Sequence, residues 1–380
     1  MPILRALARI TSSGTLIPVL DGLRFVAIFS VVFYHLAESL RAKSPFVSRQ
    51  TARESWLFAV LDKGNCGVEL FFIISGFILA LPFVQHYLAG RQPVVLSKYY
   101  RRRVTRLVPP YLCNLAVAFV IQIATGHGTA SSLWPHLLAS AGYVHNVAYG
   151  GMSLINGVAW SLEVEVQFYV LAPLMARVFA IRKAALRRGL LASAVVILAA
   201  VKSAALAAGF QSDFWHGTIA WHLDLFLAGF LLADLYVSDW RRASAGAWHW
   251  DVVGVLGWAG VLAVQFHPSA AAWSALPAMV AYAGTFRGKL LNRLFSNPWC
   301  VTIGGMCYTI YLYHFFIIAG MAHATFGIPA GAGFAGNFLL QAALICPPVI
   351  AISAVLFLLF EKPFMKPGAL RAPQPATGTA

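Results

Sequence analysis

VLDGLRFVAIFSVVFYHL, residues 19–36, decides the fold class. The run is apolar enough to enter a bilayer and has about the length of one crossing. Yet it carries Asp21, Arg24 and His35. Arg24 and His35 lie eleven residues apart. At about 100° per residue that is three turns plus about 20°, so both leave one helical face, about 16 Å apart along the axis. Ionisable groups at membrane depth are costly, and by default they mark a functional path. Three structural readings stand beside that one. Arg24 snorkels to the headgroups, His35 is an interior hydrogen-bonded histidine, or Asp21 simply pairs with Arg24 three residues on.

Composition extends this reading to the whole chain. The 380 residues are 59% hydrophobic and 11% charged, with a mean hydropathy of +0.73. A soluble domain of this size needs more charge to face water. The expectation is an all-α polytopic membrane protein. The formal charge of +15 does not mark a nucleic-acid partner, because the lysines and arginines cluster in short segments between apolar runs. The five cysteines show no paired spacing and no zinc signature, so no metal is expected and they pack as small hydrophobes. Arg5 and Arg9 precede the first apolar run as in a signal peptide. No short h-region with a small-residue cleavage site follows, which reads as an uncleaved first span.

About ten spans are expected: 18–37, 56–83, 105–124, 160–180, 188–208, 217–236, 251–267, 271–287, 299–321 and 336–360. The 131–149 stretch is apolar but short and reads as an interfacial or re-entrant piece. With a cytoplasmic N-terminus, only Arg41, Lys43, Arg49 and Arg53 of the 28 basic residues fall in outer segments. Arg24, Lys63 and Lys202 lie within spans, and all the others are inside. That bias places both termini in the cytoplasm. Residues 1–17 form an N-terminal segment, 18–365 one membrane domain, and 366–380 a short disordered tail with Pro, Gly, Ala and Thr. No soluble domain fits in any loop.

This topology gives the buried polar residues depths. Arg24 lies toward the inner half of its span and His35 toward the outer end. Glu69 sits about midway in GVELFFIISGFILAL. AWSLEVEVQFY puts Glu163 and Glu165 about one turn in from the outer face, and CYTIYLYHFF puts His314 in the outer half. His35, Glu165 and His314 therefore share a level. A histidine oriented by a carboxylate is a general-base pairing suited to removing a hydroxyl proton. Glu163 and Glu165 face about 200° apart, so only one easily joins the same cavity; the other reading is that one of them caps a helix start. SKYYRRRVTRLVPPYL holds Lys98, Arg101, Arg102, Arg103 and Arg106. It reads either as a positive-inside stop signal against lipid phosphates or as a phosphate clamp. Pro109 and Pro110 are expected to break or kink the helix just beyond it.

In order along the chain, LDGLRFVAIFSVVFYHL, GVELFFIISGFILA, YYRRRVTRLVPPYL, AWSLEVEVQFYVLAPL, CYTIYLYHF and FEKPF resemble the integral-membrane acyltransferase 3 family. The resemblance covers about residues 18 to 365. It implies a ten-helix fold in a bacterial-type inner (cytoplasmic) membrane and a cytoplasmic acyl-CoA donor, usually acetyl-CoA. The implied acceptor is a hydroxyl of a cell-envelope or secreted carbohydrate, or of a macrolide. Carried over by position, the family's first-span pair falls on Arg24 and His35, and its basic motif on Arg102, Arg103 and Arg106. Its W-S-L-x-V-E motif falls on Trp160, Ser161, Leu162, Val164 and Glu165, and its Y-x-x-Y-L-x-H motif on Tyr308, Tyr311, Leu312 and His314. Two positions depart: Val166 stands where a second acid is common, and Glu69 where aspartate is. The roles implied are His35 and Glu165 at the chemistry and Arg24, Arg102, Arg103 and Arg106 on the donor. Glu69, Trp160, Ser161, Tyr308, Tyr311 and His314 line the cavity. A secondary transporter or flippase would also bury charge in spans; the missing internal repeat and the basic cluster argue against it.

Overall fold

A computed structural model describes residues 2–10, 16–240, 246–331 and 333–365. The expected tail 366–380 lies outside the described residues, as do Arg241, Arg242, Lys366 and Arg371 of the inner charge set. Each apolar run picked from the sequence forms helix, and no strand occurs among the described residues. Pro18 opens α1 (Pro18–Lys43), where its fixed φ suits a first turn. Asp21 in that turn and Arg41 and Lys43 in the last one complement the helix dipole. There follow α2 (Cys66–Ala89), α3 (Leu96–Ala124), α4 (Ala130–Ala141), α5 (His145–Tyr149), α6 (Trp160–Met175) and α7 (Ala184–Ala207). The chain continues with α8 (Ile219–Leu235), α9 (Trp248–Val264), α10 (Ala275–Arg287), α11 (Pro298–Gly305), α12 (Cys307–Thr325) and α13 (Phe334–Leu356).

Among the described residues six helical stretches are long and apolar enough to cross a membrane, and the bent pair α11–α12 makes a seventh. At the other three expected spans stand α6, α9 and α10, of 16, 17 and 13 residues, each shorter than those seven. The protein is thus a helical multi-pass membrane protein. Two sequence expectations change. The 299–321 span is not one straight helix: it bends by 73° around Met306, where the Gly304–Gly305 pair weakens helix and α11 is drawn across α1. Nor do Pro109 and Pro110 end α3, which runs on to Ala124. Their missing N–H groups leave the carbonyls four residues earlier without helical donors. The Tyr308 hydroxyl donates to the neighbouring Leu107 carbonyl at 2.8 Å. The 131–149 region forms α4 and α5, both too short to cross; Trp134, Leu138, Val147 and Tyr149 are exposed on them, as suits an interfacial piece.

Glycines set the closest crossings. A Cβ on Gly304 would stand 1.8 Å from the Asp21 carbonyl oxygen, and one on Gly22 1.9 Å from that of Phe295. At the α2–α8 crossing a Cβ on Gly76 would meet the Phe226 carbonyl at 2.2 Å. Backbones that near admit no side chain, the usual way membrane helices pack without a hydrophobic drive between them. Polar pairs do the rest. Lys202 Nζ lies 2.9 Å from Asp224 Oδ2, both buried, which explains how a lysine sits inside a span. Arg187 and Arg188 share Asp234 in the same way. The five cysteines are free thiols.

Candidate active site

The straight α1 carries Arg24 and His35 to two different cavities, set end to end along the bundle. The first has a volume of about 140 Å³ and is lined by Arg24, Arg103, Arg106, Glu165, Tyr169 and Tyr308, with Ser75, Ser161 and Cys307. The second, of about 390 Å³, is lined by His35, Glu69, Trp160, His222 and Gln265 among others. Phe72 and Tyr311 line both. They form the wall between the cavities. α2 and α6 show the same division: Glu69 and Trp160 face one side, Leu79 and Tyr169 the other.

Charge in the first cavity is arranged rather than scattered. Asp21 Oδ1 accepts from Arg24 at 2.7 Å, as the pairing reading of the sequence has it. Its second oxygen takes Arg9 Nε at 2.8 Å, so one buried carboxylate serves two guanidiniums and Arg24 keeps positive charge for the cavity. Arg106 reaches Glu361 at 3.9 Å, and Glu361 accepts from Thr309 at 2.6 Å. Arg103 lies over the Tyr99 ring at 5.0 Å and forms no ion pair among the described residues. Three guanidiniums thus converge on one small space, with bidentate donors suited to phosphate. Arg102 is exposed and lines neither cavity. On α3 Arg106 stands between the other two, about 60° from Arg103 and about 40° from Arg102, so the cavity lies on the Arg103 edge of that face and Arg102 falls on the far side.

Glu165 and His35 are not brought together. Glu165 Oε1 accepts from Ser75 Oγ at 2.5 Å on the arginine side, about a turn and a half beyond Trp160 on α6. His35 has aromatic neighbours instead: Tyr34 at 4.9 Å, Phe315 at 5.4 Å and His314 at 5.2 Å between ring centroids. The shared level expected from topology holds for His35 and His314. His314 Nδ1 contacts the Ile310 and Tyr311 carbonyls at 3.1 and 2.8 Å. Carbonyls only accept, so the proton sits on Nδ1. Nε2 is left as a buried acceptor with no partner. Glu163 caps a helix start, but of α5: its Oε2 accepts from the Asn146 N–H at 2.7 Å. Tyr311 is pinned through its hydroxyl, which donates to the Val158 carbonyl at 2.5 Å and lies 2.7 Å from Ser161 Oγ.

Sequence reasoning missed Arg9, Asp21 as a shared partner, Glu361, His222 and Gln265. His222 and Asp224 stand inside an apolar run, WHLDLFLAGF, and could have been noticed there. Gln265 ends α9 and gave no signal; only the fold places its Nε2 3.0 Å from Glu69 Oε2.

Residues 17–358 match the family model described as an acyltransferase domain. Among curated proteins, O-acetyltransferase OatA of Staphylococcus aureus is 28% identical over 42% of this chain, and the match spans only 24% of that protein. Peptidoglycan O-acetyltransferase OatA of Listeria monocytogenes is 28% identical over 43% of this chain and 24% of its own length. The chain thus spans about a quarter of these relatives. Nodulation protein 10 of Rhizobium leguminosarum is 25% identical over 91% of this chain and 92% of its own. No solved structure matches.

Proposed function

Because the chain belongs to the family of the acyltransferase domain matched at residues 17–358, we propose that it is a membrane O-acyltransferase. It takes an acetyl group from acetyl-CoA and passes it to a hydroxyl of a carbohydrate-type acceptor. The membrane is the bacterial cytoplasmic one, with both termini and the donor on the inner side, as the distribution of lysine and arginine supports. One observation carries the reading: a cavity of three guanidiniums and a cavity holding an imidazole abut across a wall of two side chains.

Arg24, Arg103 and Arg106 would hold the donor's phosphates, with Tyr169 and Tyr308 beside them. The acyl group must then pass Phe72 and Tyr311. His35 takes the proton from the acceptor hydroxyl as that oxygen attacks the thioester carbonyl; the carbon–sulfur bond breaks, an ester forms, and the thiolate of CoA leaves to be reprotonated. His314 Nε2 is a buried acceptor with no partner among the described residues and its ring lies beside that of His35, which supports a role for it, rather than Glu165, in receiving the His35 N–H and holding the imidazolium. Direct attack with His35 as base fits its seat in the acceptor cavity better than a role as transient acyl carrier. Glu165, held by Ser75 among the arginines, shapes the donor side.

The test uses purified protein in lipid with acetyl-labelled acetyl-CoA and cell-envelope glycan. Label should appear as an alkali-labile ester on the glycan. Binding of acetyl-CoA with no ester on any glycan would leave the reading without its acceptor, and transport of acetyl-CoA or glycan without transfer would replace it.

A further inference from the structure

Resting on that reading, we propose that the second cavity is a subsite for one uncharged pyranose unit, stacked on Trp160 and gripped by Gln265, Glu69 and His222.

Trp160 is half-buried at the start of α6, and its ring is held 5.6 Å from His222 and 6.2 Å from Phe72. A partly exposed indole on a cavity wall, braced by ring neighbours, offers a flat apolar platform at little entropic cost. A pyranose has a matching face of C–H groups and a rim of hydroxyls. Rim partners are present. Glu69 is fixed by Gln265 at 3.0 Å, so both present oriented amide and carboxylate edges. His222 Nε2 is bonded to the His216 carbonyl at 3.0 Å, which puts its proton there. Its Nδ1 is therefore an acceptor, and it has no partner although the residue is 4% exposed. An orphaned acceptor on a cavity wall marks a missing donor such as a hydroxyl.

Charge and size narrow the ligand. No lysine or arginine lines this cavity, and its carboxylate is Glu69. An acidic sugar would bring a second carboxylate beside Glu69, and the buried Lys202 behind it is already paired with Asp224 at 2.9 Å, so the added charge costs affinity. A volume of about 390 Å³ is near the low end for ligand pockets, so it suits a chain end or a single ring rather than the run of a polymer. The exposed side chains of Met152 and His216 line the cavity, so it opens by the 150–158 and 213–218 connections.

The experiment measures saturation-transfer NMR of methyl pyranosides with the full protein in nanodiscs, without acetyl-CoA. The probes are a methyl hexoside, a methyl N-acetylhexosaminide and a methyl hexuronide. At least one of the first two should bind, and the hexuronide at least tenfold more weakly. Trp160→Ala and Gln265→Ala should each weaken the neutral ligand tenfold or more. Glu69→Gln should narrow the gap to the hexuronide. Acetyl-CoA binding by the Trp160→Ala protein should be retained, since Trp160 lies outside the first cavity, and this shows that the variant is folded. Equal or tighter binding of the hexuronide, no binding of any pyranoside, or indifference to Trp160→Ala would overturn the proposal. Failure of the wild-type protein to bind acetyl-CoA would instead strike the acyl-transfer reading and leave the pyranoside result standing.

Discussion

Replacing His35 with alanine should lower acetyl transfer by about 10²- to 10⁴-fold, the usual worth of a positioned general base. It should do so without loss of helix or of acetyl-CoA binding. Among the described residues the imidazole makes no hydrogen bond that ties it into the fold. Its contacts are ring edges, to His314 at 5.2 Å and Phe315 at 5.4 Å. Truncation therefore removes packing on one side of a cavity that is already open, not a member of a buried polar network. Arg24, which shares its helix face, lies in the other cavity, so the donor site should survive. Label transfer at fixed acetyl-CoA and glycan, read beside a donor-binding assay, checks this. Retained turnover would take His35 out of the mechanism.

The second large effect is on donor affinity. Arg103→Ala should raise KM for acetyl-CoA about 10- to 150-fold, the range for losing one charge-assisted hydrogen bond of about 1.5–3 kcal/mol. Arg103 is the informative choice because no carboxylate pairs with it; it rests on the Tyr99 ring at 5.0 Å. Arg24 and Arg106 each share an acid, and removing either disturbs Asp21 or Glu361 as well. Arg102→Ala should stay near the wild-type value, because its side chain is exposed outside both cavities. Isotherms of acetyl-CoA with the two variants separate a cavity-lining arginine from a headgroup-facing one. Equal losses for both would point to general electrostatic attraction instead.

The fold was largely legible because apolar runs of bilayer length force helix wherever no water can satisfy the backbone. The face shared by Arg24 and His35 followed from the helix period alone. What escaped depends on neighbours far along the chain. Nothing local says that Arg9 joins Asp21, so the first span's acid was assigned one arginine where it holds two. Equal depth for Glu165 and His35 was read from topology, but Glu165 lies about a turn and a half beyond Trp160, in the cavity of Arg24 rather than that of His35. Glu165 turned to Ser75 on α2, and His35 to His314 on α12. The break at Met306 was likewise invisible in hydropathy, which averages over a window longer than the bend.

Tyr311 and Phe72 are the parts of this arrangement that chemistry must move. Tyr311 is held by Val158, which lines the second cavity, and Ser161, which lines the first, while its ring lies 6.3 Å from Phe71 and 5.9 Å from His314. In the proposed mechanism these two side chains, which line both cavities, separate acceptor-side water from a donor-side thioester until they move.

The most direct test is therefore of sidedness. Protein of uniform orientation in sealed proteoliposomes is given acetyl-labelled acetyl-CoA at the face bearing Arg103 and Arg106, with glycan confined to the opposite face. Acetyl ester should form on the glycan across the intact bilayer, and not when the donor is moved to the glycan's side. Ester that forms only when donor and glycan share one compartment would contradict the account.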